Sequence, residues 1–84
     1  MMRDDVYHLI DQERKRQSVK WAGKHEWGWG DCSSHDVAEE VKSAVLTEEC
    51  GEVARAVLDR NETELRNELV QVAAVAVAWL EGMR

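Results

Sequence analysis

The sequence predicts an all-α fold: an N-terminal helix followed by an antiparallel helical hairpin, completed into a helical bundle by oligomerisation. Three observations predict it. Proline is absent, β-branched residues other than valine are rare, and apolar residues recur at three- and four-residue spacing along most of the chain. Eighty-four residues make a single domain, 1–84. A chain of that size buries only roughly 60% of the surface its unfolded form exposes, so a solitary core is marginal. Self-association as a homodimer or homotetramer follows as an expectation.

The first helix is expected from about Arg3 to Val19, with Val6, Leu9, Ile10 and Glu13 on one face and charge on the other. Lys20 to Ser33 holds three glycines and three tryptophans and reads as neither helix nor strand. A loop of that length in a small protein is usually functional. Ser33 or Ser34 is a suitable N-cap for a second helix that runs to about Leu58. Asp59-Arg60-Asn61 breaks it. Asn61 with Glu64 three residues on has the pattern of a capping box, and Glu62 and Glu64 suit the positive end of the helix dipole. The third helix is expected from Glu62 to about Glu81, stopping at Gly82. So short a turn makes helices two and three antiparallel neighbours.

Composition narrows the function classes. The net charge is −6, which argues against a nucleic-acid polymer as partner. Residues 1–30 carry six Lys/Arg against five Asp/Glu, whereas residues 31–84 carry five against twelve. The longest apolar run, Leu69 to Leu80, is twelve residues and contains Gln71, too short to span a membrane. The charged opening Arg3-Asp4-Asp5 predicts no secretory signal and a cytoplasmic address. Cys32 and Cys50 belong to no CxxC and are expected as free thiols.

On a helical wheel, Ala38, Val41, Val45, Leu46, Val53 and Val57 make a broad apolar arc in the second helix. Glu39 and Glu40 fall outside it or at its border, but Glu48, Glu49 and Glu52 fall within it. In the third helix Glu68 lies between Val75 and Trp79, and Gln71 lies beside Val75. Four acids and an amide thus occupy positions that a binary pattern reserves for apolar residues. Buried carboxylates are paired or bind metal, and the nearby bases Lys42, Arg55 and Arg66 are too few. When the hairpin is folded about residue 60, positions whose numbers sum to about 120 lie level, bringing Glu52 to Glu68 and Glu49 to Gln71. Oxygen ligands in such a cluster suit a hard cation, Mg²⁺ or Mn²⁺.

At these residues the sequence resembles the MazG-like all-α nucleoside triphosphate pyrophosphohydrolase superfamily, of the small bacterial and phage type. The run LTEECGEVARAV, Leu46 to Val57, is similar to the family's EExxE block. The run LRNELVQVAA, Leu65 to Ala74, is similar to its ExxD block, and the stretch from Glu13-Arg14 to Lys20-Trp21 to its N-terminal region. The resemblance implies Mg²⁺ held by Glu49, Glu52 and Glu68, with Glu48 as the extra acid of the motif. It also implies cleavage of a (deoxy)nucleoside triphosphate to the monophosphate and pyrophosphate. Gln71 stands where the family has aspartate; its amide oxygen can ligate Mg²⁺ but adds no charge. The family core has four helices and this chain supplies three, so the fourth wall is expected from a partner subunit.

Within that chemistry, Glu48 or Glu49 could orient or deprotonate the attacking water. Arg14, Lys20 and Lys24 are candidates for phosphate oxygens, as is Lys15. Trp21, Trp27 and Trp29 are candidates to stack on a base. Trp79 is expected in the core, and the histidines, His25 included, at the surface. The rival reading is a non-catalytic helical oligomer that binds nucleotide or a protein partner through a degraded metal site, and Gln71 favours it.

Overall fold

Three helices carry most of the chain in the computed structural model, which describes residues 1–83: α1 (Arg3–Lys20), α2 (Glu39–Leu58) and α3 (Glu62–Gly82). The connection between α1 and α2 adds a small antiparallel ribbon of β1 (Lys24–His25) and β2 (Gly28–Trp29). The fold is therefore mostly helical rather than purely so. Two-residue strands are too short to leave an alternating pattern in the sequence. The ribbon closes through Glu26-Trp27, with Gly28 at φ +125°. Gly28 is also required by space: a Cβ there would lie 2.7 Å from the Asp36 carbonyl oxygen.

The helix ends follow local chemistry. Asn61 caps α3 as expected, accepting the Glu64 N–H at 3.0 Å, and Arg60 turns the chain with φ +53°. The start of α2 is a correction. Neither Ser33 nor Ser34 caps it; the helix begins five residues later, behind Ala38, which offers no side-chain cap. The serine hydroxyls are committed elsewhere, Ser33 donating to Asp31 and Ser34 accepting the Asp36 N–H. Glu39 and Glu40 in the first turn supply negative charge to the N-terminal dipole instead. At its other end α3 closes on the loop at Gly82, where a Cβ would meet the Ser33 carbonyl oxygen at 2.6 Å.

α3 is the centre of the molecule. α1 and α2 both pack on it, and not on each other. Ala74 and Ala78, one turn apart and fully buried, bring the backbones close, and Val75, Ala56 and Val37 complete the buried apolar set. No large side chain among the described residues is fully buried. Trp79 is only half-buried. One chain does not cover α3 all round: Leu69, Val77 and Leu80 stand exposed on one helical face. No helix among the described residues is long and apolar enough to cross a membrane. Cys32 and Cys50 are free.

Candidate metal centre and its cleft

Because α1 and α2 touch only α3, a cleft opens between them. Its volume is about 380 Å³. α1 lines it with Arg16, Gln17 and Lys20, α2 with Val41, Val45, Glu48, Glu49 and Glu52, and α3 with Gln71 and Val75. The Trp-rich connection closes one end with Trp21, His25 and Trp27.

The hairpin register delivers the carboxylates as the numbering argument expects. One oxygen from each of Glu49, Glu52 and Glu68 lies within 4.8 Å of the other two. Opposed ligands of a Mg²⁺ sit about 4.2 Å apart, twice the metal–oxygen distance, so small side-chain movements would bring these oxygens to one ion. Glu49 Oε2 and Glu68 Oε2 are buried and receive no hydrogen bond. A buried carboxylate oxygen without a donor is costly, and a cation is one partner that could satisfy both oxygens. The donor set, oxygens alone, is of the kind that suits a hard cation.

The electrostatics agree. Burial, then the neighbouring Glu52 and Glu49, push Glu68 up to about 7. Glu49 is also raised, by burial first and then by Glu52 and Glu48. These carboxyls crowd one another with too little positive charge among them. The three bases available on the hairpin do not relieve them. Arg55 pairs with Asp59 on the surface, and Arg66 makes no ion pair among the described residues. Lys42 is buried on the side of Cys32, whose thiol feels its charge.

The other candidates divide. Gln71, Glu48, Lys20, Trp21 and Trp27 line the cleft with Glu49 and Glu52. Glu48 and Glu52 are exposed rather than buried in the apolar arc, while Glu49 and Glu68 are half-buried. Lys24 and Trp29 pair across the ribbon and do not line the cleft. Arg14 is a correction. It lies outside the cleft, its guanidinium held by Asp31 at 2.7 Å and Glu81 at 2.8 Å. These bonds tie the loop and the end of α3 to α1. Lys15 likewise pairs with Asp11 away from the cleft. His25 is also corrected. Its ring is half-buried, bonds Gly30 O through Nε2 at 2.7 Å and accepts the Trp27 N–H on Nδ1 at 3.2 Å. With Nδ1 accepting, Nε2 is the nitrogen that donates to Gly30 O. Trp21 packs edge-on against the same ring, and Lys20 lies 5.4 Å from the Trp21 ring.

Sequence reasoning missed Arg16 and Gln17 on the cleft wall. The signal was present in the one-turn spacing of Arg16 and Lys20, which places both on one helix face. No protein-family model matches this chain, and no significant match arises among curated proteins or solved structures.

Proposed function

We propose that this chain is a Mg²⁺-dependent nucleoside triphosphate pyrophosphohydrolase of the MazG-like type, converting a (deoxy)nucleoside triphosphate to the monophosphate and pyrophosphate. The observation that carries the proposal is the convergence of Glu49 and Glu52, on the cleft wall, with Glu68 behind them, one buried oxygen each of Glu49 and Glu68 lacking any donor. An acidic site of this kind binds an anionic polyphosphate only through a cation, which draws both sets of oxygens together. Glu49, Glu52 and Glu68 would hold that cation, with the Gln71 amide oxygen as a fourth, uncharged donor. Bound there, Mg²⁺ neutralises the phosphate oxygens and polarises the phosphorus.

The remaining roles belong to the chain. Water attacks the α-phosphorus, its oxygen forms the new P–O bond, the α–β anhydride bond breaks, and pyrophosphate leaves with the electron pair. Glu48, exposed on the cleft beside the metal ligands, accepts the proton of the attacking water, or Glu49 does so. Lys20 supplies positive charge to the phosphate chain. Trp21 and Trp27 offer faces on which a base can stack. A second subunit covers the exposed stripe of Leu69, Val77 and Leu80, making the working form a homodimer or homotetramer.

The test is incubation with a panel of nucleoside triphosphates and Mg²⁺, with pyrophosphate and monophosphate measured in equal amounts. Release from wild type but not from Glu49→Gln supports the enzyme. Nucleotide binding without release, from every member of the panel, supports the non-catalytic oligomer that the uncharged Gln71 favours.

A further inference from the structure

The two walls of the cleft carry opposite charge. α2 presents Glu48, Glu49 and Glu52, whereas α1 presents Arg16 and Lys20, one turn apart. Of the two cations, Arg16 is the one held in place. Glu13 grips it as a fork, Nε to Oε1 at 2.7 Å and Nη2 to Oε2 at 2.6 Å. Paired bonds of this kind fix the plane of a guanidinium as well as its position. Glu13 is itself fixed: its side chain is only 13% exposed, and Gln17, the buried residue of α1, donates to Oε2 at 3.3 Å. The charge of Glu49 also acts on Arg16, placing the guanidinium within electrostatic reach of the metal centre. The fork occupies Nε and Nη2. Nη1 meets no carboxylate among the described residues, and the side chain stays 53% exposed at the cleft. An arginine whose back edge is satisfied and whose front edge is open is preorganised for phosphate oxygens.

We propose that Arg16, positioned by Glu13, is the anion-binding arm of this cleft, and that the ligand is an extended polyphosphate. One phosphoryl group meets the cation of the Glu49–Glu52–Glu68 cluster while another meets Arg16. The proposal rests on the metal reading given above and adds to it the residue that meets the second phosphoryl group. A single phosphate engages one arm only; a triphosphate engages both.

Inorganic triphosphate and orthophosphate are the probes, titrated calorimetrically into the full-length protein with Mn²⁺ present. Mn²⁺ binding alone is followed in parallel by electron paramagnetic resonance. Wild type should bind triphosphate at least tenfold more tightly than orthophosphate. Arg16→Gln should lose at least tenfold in triphosphate affinity while its Mn²⁺ affinity is unchanged or tighter, because a cation near Glu49 has gone. Arg16→Lys keeps the charge but cannot be held by a fork, and Glu13→Gln weakens the fork; each should lose severalfold. Arg16 is half exposed, so Arg16→Gln should retain the wild-type helical circular dichroism. Equal triphosphate affinity in wild type and Arg16→Gln overturns the inference and leaves the metal reading standing. Parallel loss of Mn²⁺ and triphosphate also overturns it, since Arg16 would then act through the metal cluster. Absence of Mn²⁺ binding by wild type overturns both.

Discussion

Replacing Glu68 with glutamine should stabilise the metal-free protein at alkaline pH and deprive it of its response to metal. Glu68 has an ordinary value of 4.5 and is raised to about 7 in the fold. The folded state therefore holds this proton more tightly than the unfolded state does. Its stabilising effect is complete below about pH 4.5 and is lost as pH rises through about 7. At about 1.4 kcal/mol per pH unit the span corresponds to an upper bound of about 3.5 kcal/mol. Water at the rim of the cleft screens the repulsion, which brings the expected effect down to about 1.5 kcal/mol.

The glutamine variant never acquires the charge. In EDTA its melting temperature at pH 8 should exceed that of wild type by about 6–12 °C, using about 4–8 °C per kcal/mol for a domain of this size. The two proteins should melt together near pH 4.5. Saturating Mg²⁺ or Mn²⁺ at pH 8 should then raise wild type by mass action, by about 2.7 kcal/mol at a hundredfold excess over Kd. The variant should gain far less, so the metal reverses the order of stability. Thermal melts by circular dichroism across pH 4.5–8, with and without metal, measure all of this. A variant no more stable than wild type at pH 8 in EDTA would refute the crowding of carboxylates at this site. An equal metal response in both proteins would refute Glu68 as a ligand.

Three further outcomes follow from other parts of the structure. Gln71→Leu should lower pyrophosphate release without unfolding the protein, because it removes an oxygen donor from the cleft wall; a variant that is more stable and no less active shows that Gln71 is not a ligand. Asp31→Asn should cost about 2 kcal/mol in denaturant melts, because it breaks the tether to Arg14 and weakens the acceptor for Ser33. Burial alone would raise Asp31, but Ser33 and Arg14 outweigh it and hold the carboxyl below its usual range, so its stabilisation is present above about pH 4 and lost as pH falls further; the wild-type acid limb should be steeper than that of the variant. Val77→Asp should convert the proposed oligomer to folded monomers in light scattering, since Val77 sits on the exposed stripe of α3 and outside the buried core; Val75→Asp, in contrast, should unfold the chain because Val75 is buried inside it.

Much of this molecule is legible in the sequence because it is governed by short-range rules. Helix periodicity marks α1 and α3 to within a residue, and the Asn61–Glu64 cap marks the turn that makes α2 and α3 antiparallel. Once that turn is placed, rigid helical geometry brings Glu52 level with Glu68, so the carboxylate cluster follows from sequence and wheel alone. Where a hydroxyl or a guanidinium finds its partner is a different matter, because it depends on distant segments folding together. Ser33 and Ser34 look like caps, yet Asp31 and Asp36 claim them. Arg14 and Arg16 are two residues apart in one basic run, so helix periodicity puts them on opposite faces of α1, but which face meets the cleft is not a local matter. Packing of α1 on α3 decides it: Arg14 is turned toward Asp31 and Glu81, and Arg16 toward the cleft. The cleft itself is a tertiary fact, since it exists only because α1 and α2 both lean on the small residues of α3 and leave the space between them open.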